Sequence, residues 1–358
     1  MKFLRLALLI LCSAYAFLSP LAQTDPSRAQ QPTTQSTDLA ESEKLSIEVI
    51  KLYEAGKFAE ALPLAKRALK IREKSLGPNH KLVAVAEINL AGVYLGNKNL
   101  EDAESMYRKA LAIYEMNPDE HDPHVGQLLD RLARLSLLKR DFEKAEDLYT
   151  RAVAAKEKSF GPDHAETIES VNNLATFYSA RHEYEKAEPL LRRILSIREK
   201  SLDPTAPALA HSLERLACVM YREKKDSEAQ KLEERANDIL YKDAAGKPEP
   251  IPLPLDVFTC KMINNPHPVF PEAAKGGRFT GATTLKVAVV VDETGKVISA
   301  HMVEGNPLFK ESSEKAALSA LFRPTVVDGH PVKVSGEIIH QLMTKTSLMM
   351  VGPVPLRP

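Results

Sequence analysis

Apolar positions along this chain follow two rhythms, and the change falls just after residue 242. Before it they recur at helical spacing inside a 42-residue period. Ala61, Ala103, Ala145, Ala187 and Ala229 stand 42 apart throughout. Seven residues after each come Ala68, Ala110, Ala152, Ile194 and Ala236. Twelve residues before each come Val49, Ala91, Ala133, Ala175 and Ala217, preceded in the last four units by Leu90, Leu132, Leu174 and Leu216. Small residues at three fixed points, with larger apolar ones between, predict antiparallel helix pairs in close approach. One pair cannot bury its own face, so the pairs must stack into a helical solenoid. The breaks Gly56-Lys57, Asn97-Lys98-Asn99, Arg140-Asp141 and Arg181-His182-Glu183 predict the turn within each pair.

The second rhythm has period two. Residues 243–257 first interrupt all periodicity: Pro248, Pro250, Pro252 and Pro254 exclude helix and predict a polyproline-like linker. Pro271 to Lys275 then predicts a short helix opened by proline. Thr283 to Val291 is a β-branched run with Leu285, Val287, Val289 and Val291 on one face. Asp292-Glu293-Thr294-Gly295 turns it back into Lys296 to Glu304. Glu311 to Leu321 predicts a helix, with Ala316, Ala317 and Ala320 allowing close packing, and Val332 to Met343 a last strand. The order is α, β, β, α, β over residues 258–345, a small α+β module, and residues 346–358 are a tail.

The first 22 residues have a third character. Lys2 and Arg5 precede an apolar run from Leu6 to Leu18, and small residues offer two cleavage sites, one after Ala14-Tyr15-Ala16 and a second at Ala22-Gln23. The run is shorter than the ~20 apolar residues that span a bilayer. It reads as a signal peptide that sends the chain to the periplasm or out of the cell; a retained anchor is the competing reading. Gln, Thr, Ser and Pro dominate the following stretch, so residues 23–40 are expected to be a disordered tether.

Charge and cysteine content narrow the function. Lys+Arg and Asp+Glu each number 48 in 358 residues, without the basic excess of a nucleic-acid binder. Three cysteines cannot build a disulfide scaffold or a multi-cysteine zinc module. Cys12 lies in the leader, Cys218 reads as a small packing residue in a repeat helix, and a bridge to Cys260 is left open. His121-Asp122-Pro123-His124 sets two metal-ligand types three apart. The equivalent loop positions are His80, Asp122, His164 and Ala206, so helix capping at the repeat period is the reading and no metal is expected. No H-E-x-x-H, G-x-S-x-G, P-loop or dinucleotide glycine pattern occurs. Neither His340 nor Asp328 has a nucleophile that sequence can pair with it. The expectation is a non-enzymatic protein with no cofactor and no small-molecule substrate.

The repeat residues resemble the tetratricopeptide repeat. That unit usually spans about 34 residues. The longer period here, with the Gly77-Pro78-Asn79-His80 and Gly161-Pro162-Asp163-His164 loops, looks like the kinesin-light-chain variety. Asn173-Leu174-Ala175-Thr176-Phe177-Tyr178 followed by Tyr184-Glu185-Lys186-Ala187-Glu188 carries the match, which covers residues 41–242 as five hairpins. By analogy with that family, the first helix of each hairpin supplies an inner face bearing Asn89, Arg131, Arg134, Asn172, Asn173, Thr176 and Arg215. Such a face suits a peptide backbone and an acidic group.

Residues 266–343 resemble the C-terminal domain of TonB-family proteins. The match runs through Val269-Phe270-Pro271, Gly281, Val291-Asp292-Glu293-Thr294-Gly295-Lys296-Val297, Ala316-Ala317-Leu318 and Phe322-Arg323-Pro324. It departs at Phe270, where the family usually has Tyr, and at Gly305-Asn306, where it has a Ser-Gly pair. The resemblance implies strand addition along a sheet edge, here along Val334, Ser335, Gly336, Glu337 and Ile338 of the last strand. Together the two resemblances imply an exported envelope adaptor with protein or peptide partners, outer-membrane proteins among them. The alternative is an anchored, TonB-like energy transducer that contacts the membrane through a retained leader.

Overall fold

Where the small residues recur, helices touch. Ala61, Ala103, Ala145, Ala187 and Ala229 are all completely buried. The computed structural model describes residues 34–116, 122–244, 247, 249–274 and 282–343. The leader with its cleavage sites, residues 23–33 of the expected tether and the tail lie outside the described residues, as do His121, Pro248, Lys275 and Gly281. The chain divides into two compact units between Ser170 and Val171.

The first unit holds three helical hairpins and the start of a fourth. The pairs are α1 (Thr34–Glu54) with α2 (Phe58–Leu76), α3 (Lys81–Gly96) with α4 (Leu100–Met116), and α5 (His124–Leu138) with α6 (Phe142–Phe160). Helix α7 (Ala165–Ala180) begins in this unit and ends in the next. Residues 34–40 correct the expected tether. They form the opening turns of α1, and the Gln35 side chain donates to the Ser75 carbonyl of α2 at 2.7 Å. Packing on a neighbouring helix overrides a polar local composition.

The second unit completes α7 and adds α8 (Tyr184–Ser201), α9 (Pro207–Arg222) and α10 (Asp226–Tyr241). The C-terminal module follows: β1 (Ile251–Pro252), α11 (Leu255–Lys261), β2 (Met262–Asn264), β3 (Ala282–Val291), β4 (Val297–Glu304), α12 (Lys310–Leu318), β5 (Leu321–Phe322), β6 (Thr325–Val327), β7 (His330–Val332) and β8 (Val334–Met343). A short 3-10 turn at Glu272–Ala274 stands where the proline-led helix was expected.

Each hairpin turns in the same way. Gly56, Lys98, Arg140, His182 and Lys224 have φ between 60° and 72° and stand 42 residues apart. The next N–H reaches back five residues each time: Lys57 to Leu52 O, Asn99 to Tyr94 O, Asp141 to Ser136 O, Glu183 to Tyr178 O, and Lys225 to Met220 O, all at 2.8–2.9 Å. This left-handed C-terminal closure normally selects glycine; here only the first turn has it.

The loops between hairpins are capped as their spacing foretold. His80 Nδ1 accepts the Leu82 N–H at 3.1 Å, Asp122 Oδ1 the His124 N–H at 3.0 Å, and His164 Nδ1 the Glu166 N–H at 3.2 Å. Ala206 has no acceptor, and α9 opens on Pro207, whose fixed φ suits a first helical position. Basic side chains, Arg72 and Lys156 buried and Arg198 half-buried, then tie second helices to first ones. Arg72 donates to Ser42, Ser46 and the Leu82 carbonyl; Lys156 pairs with Asp130 and Glu166; Arg198 donates to Ser212 and the Ala208 carbonyl.

The module's main sheet has the order β1-β8-β3-β4. Hairpin β3–β4 forms as expected, and Leu285, Val287, Val289 and Val291 are buried on one face. Three boundaries differ. Helix α12 stops at Leu318, because Leu321 and Phe322 leave it to pair with β2. Residues 330–332 form a small hairpin with β6 before β8 starts. The linker is no free polyproline spacer either. Ile251 and Leu253 drop into the module's core beside Phe258, Val289 and Ile338, so β1 and α11 become part of the module. Pro252 is tolerated there because β1 is an edge strand.

Candidate peptide-binding surfaces

The inner-face residues fall in both units and are described unit by unit. In the first unit, Asn89 on α3 and Arg131 on α5 are half-buried, and Arg134 is exposed. Arg131 lies over the ring of Tyr107, 5.8 Å from its centre, and donates to its hydroxyl at 3.5 Å. In the second unit, Asn172, Asn173 and Thr176 project from α7 and Arg215 from α9. The structure brings three of them together: Arg215 donates to Asn172 Oδ1 and, at 2.8 Å, to Thr176 Oγ1. These bonds fix the guanidinium, and burial together with the nearby Arg198 pushes Arg215 below its ordinary pKa, with Asp256 pulling it back. An oriented, partly desolvated arginine is a strong binding site for a carboxylate.

The edge of β8 is built differently from the sequence expectation. Val334 and Ser335 are already covered. The chain's own β1 runs parallel to them, with Ile251 N–H donating to Lys333 O and Leu253 N–H to Ser335 O, each at 2.9 Å. Gly336 faces inward; a β-carbon there would meet the Phe258 ring at 2.5 Å. Ile338 is also a core residue, 1% exposed. Only Glu337 of the five expected positions combines an exposed side chain with an outward backbone. Because Lys333 and Ser335 turn their carbonyls to β1, alternation turns Glu337, Ile339 and Gln341 outward too. Sequence reading missed Ile339 and Gln341, since nothing in a lone strand says which backbone parity faces its neighbour.

On the sheet's other edge, the Met302 N–H of β4 donates to the Glu314 carboxylate of α12 at 3.0 Å. That bond occupies a donor that a guest strand would otherwise take. Beneath β8, His340 is buried with both ring nitrogens unpaired among the described residues. Burial and the neighbouring His267 hold its pKa down.

The fifth hairpin carries the largest surprise. Glu233 and Asn237 of α10 occupy positions where earlier repeats place Tyr107, Tyr149 and Leu191, and Leu111 and Leu195. A polar outer face is what an exposed terminal repeat needs. Yet both residues are buried, because the C-terminal module sits on them. Lys261 of α11 pairs with Glu233, which also accepts the Tyr221 hydroxyl at 2.7 Å. Asn237 donates to Val326 O at 3.0 Å, and Asp238 accepts the Asp328 N–H at 2.7 Å. Arg323 pairs with Asp226 at 2.8 Å and lies 4.2 Å from the centre of the Tyr221 ring. Cys218 of α9 and Cys260 of α11 form a disulfide, with Cα atoms 5.3 Å apart. Cys218 holds the inner-face position of Arg134 and Thr176, so α11 covers that face of the last hairpin. Among the described residues, no cluster of His, Cys, Asp and Glu is arranged to hold a metal ion.

Comparison with known proteins agrees with this architecture. A tetratricopeptide repeat model matches residues 50–116, 124–198 and 166–242. A model of the Gram-negative bacterial TonB protein C-terminal domain matches residues 266–341. Among solved structures, the putative kinesin light chain repeats of Podosopora anserina superpose with a TM-score of 0.51 at 22% identity, covering 58% of this chain and 99% of that one. A point variant of the same repeats gives 0.51 at 23%, over 57% and 97%. At this identity the likeness is one of fold. Nephrocystin-3 of Xenopus laevis is 39% identical over 59 residues, 16% of this chain and 4% of its own length, and the Mus musculus protein is 41% identical over the same share. The chain therefore spans only a small fraction of these curated relatives.

Proposed function

Because the chain belongs to the tetratricopeptide repeat family and ends in a TonB-type C-terminal domain, we propose that it is a non-enzymatic adaptor of the bacterial cell envelope. Tetratricopeptide repeats bind proteins, and the repeat helices take one partner through the inner face around Arg215, Asn172, Asn173 and Thr176. The C-terminal module takes a second, extended partner along β8, an outer-membrane protein segment being the kind of ligand its family implies. The observation that carries this reading is the β8 edge. It already accepts one strand, β1, and continues outward-facing beyond it at Glu337, Ile339 and Gln341.

Export has support independent of the leader. A disulfide between the two cysteines beyond the leader suits an oxidising compartment and is rare in a reducing one. No helix among the described residues is long and apolar enough to cross a membrane. An anchored transducer differs from the adaptor only in keeping its leader. Mass spectrometry of native protein separates the two: a new N-terminus between about residues 17 and 24 supports the adaptor, and intact Met1 in the membrane fraction supports the transducer.

Strand addition is tested by Glu337→Pro. The Glu337 N–H points away from β3, so proline there removes no bond to β3 and blocks only the outward edge. The variant, folded by circular dichroism, should lose capture of envelope proteins by the module, whereas Glu293→Ala in the turn should keep it. Ser335→Pro is less informative, because it also disturbs β1. Capture undiminished in Glu337→Pro, but lost in Asn173→Ala with Arg215→Ala, would move binding to the repeat helices.

A further inference from the structure

We propose that the Cys218–Cys260 disulfide is a thiol-exchange site that latches the C-terminal module onto the fifth hairpin. It joins α9, a repeat helix, to α11, the first helix of the module. Both cysteines are partly exposed, which leaves an approach for an attacking thiolate, and they line a water-sized cavity with Glu214, Tyr221, Glu233 and Lys261. They are also the only cysteines outside the leader, so no other thiol in the mature chain can compete.

The non-covalent docking beneath the bond is of a kind that water can replace. Lys261 with Glu233, Arg323 with Asp226, Asn237 with Val326 O and Asp238 with the Asp328 N–H are all polar. On separation each group recovers hydration, which largely offsets the pairing it loses. Apolar support comes from Tyr241 of α10, only partly buried against the module's core. The linker keeps the module close in either state. The covalent bond therefore decides whether the docked arrangement persists, while the module's own core keeps Phe258 of α11 packed with Val289 of β3, Ala317 of α12 and Ile338 of β8 in either state.

Exchange proceeds with an exported dithiol as reductant. Its thiolate attacks one Sγ, forming a mixed disulfide and releasing the other cysteine as a thiolate that takes up a proton. The reductant's second thiol then displaces the remaining cysteine. Two electrons and two protons pass to the chain, leaving two cysteine thiols and the reductant's disulfide. The released state exposes Glu233 and Asn237 on α10 and Lys261 on α11, together with the inner face of α9.

The test uses the full chain, oxidised and after dithiothreitol under native conditions, with maleimide labelling and hydrogen-exchange mass spectrometry. Two labelled thiols are expected, with exchange in α11 and on α10 faster by about tenfold or more and exchange in β3 unchanged. The Cys218→Ser/Cys260→Ser variant should match the reduced chain without reductant; should it misfold, the reduced natural chain decides alone. Failure to label either cysteine in the native state overturns the proposal. So does labelling with unchanged exchange at the docking face, or a rise that extends through β3 and β8, which would make the bond a fold staple.

Discussion

The Lys261–Glu233 pair can be taken apart one charge at a time. Both residues are almost fully buried, and Glu233 additionally accepts the Tyr221 hydroxyl. Lys261→Met leaves a buried carboxylate with that hydroxyl and the Asn237 amide as its remaining contacts. Stranding one member of a buried pair costs about 3–5 kcal/mol. Glu233→Leu strands the ammonium instead, with only the Pro324 carbonyl at 3.4 Å to hold it. Each stranded group can neutralise itself, but in opposite pH directions, because burial raises a carboxyl group's pKa and lowers an amine's. Burial and Arg323 already push the Lys261 pKa down, so the amine can shed its proton. An amine held below its unfolded value of 10.5 costs stability when protonated, and the cost is relieved as pH rises through the folded value towards 10.5. Glu233→Leu should therefore gain stability between neutral pH and about pH 9, and Lys261→Met should not.

The double variant Lys261→Met/Glu233→Leu removes both charges, and leucine is what Leu191 supplies at the equivalent place one repeat earlier. It should come within about 1–2 kcal/mol of the natural chain, the main residual loss being the Tyr221 hydroxyl without its acceptor. The coupling energy between the two sites should thus exceed about 2 kcal/mol. Urea unfolding followed by circular dichroism and tyrosine fluorescence suits a chain with 10 tyrosines and no tryptophan, the disulfide being kept intact throughout. A double variant as unstable as the sum of its singles would refute the pairing.

Other expectations follow from the same geometry. Ala175→Leu, at a fully buried 42-spaced position, should cost about 1–3 kcal/mol by overpacking, against under about 0.5 kcal/mol for the exposed Glu169→Leu; equal thermal melts would mean the register is wrong. Lys98→Gly and Lys224→Gly, at φ near 60°, should each raise stability by up to about 1 kcal/mol, whereas Gly56→Ala should lower it. The Lys225 hydrogen bond, aided by Arg192 and opposed by burial, lowers Glu188 from 4.5 to about 2. Its contribution, about 1–3 kcal/mol after solvent screening, is present above pH 4.5 and lost as pH falls towards 2, so Glu188→Gln should flatten that part of the acid unfolding profile. Gly336→Ala should loosen α11 by driving a methyl into the Phe258 ring, seen as faster amide exchange there.

Much of the architecture was readable because it is periodic. A small residue every 42 positions has one physical use, close helix contact, and all five of the alanines chosen on that ground are buried to the last atom. The loop positions His80, Asp122 and His164 were likewise legible as caps, since a cap is a bond two residues long and needs nothing from elsewhere in the fold. Hairpin β3–β4 announced itself through alternation and an Asp-Glu-Thr-Gly turn.

What composition misjudged were segments whose partners lie far along the chain. Residues 34–40 look like tether until α2 offers Gln35 a carbonyl, and Ile251-Pro252-Leu253 looks like spacer until a core opens for Ile251 and Leu253. The edge of β8 could not be divided into covered and open halves from its own residues, because β1 does the covering. Glu233, Asn237 and Lys261 would each read as solvated charge or polarity. Only the docked module turns them into a buried pair and a hydrogen bond, and sets Cys218 against Cys260. Local pattern carries short-range bonds and repeated contacts; a contact made once, between segments of unlike period, leaves no rhythm in the chain and is decided by tertiary packing alone.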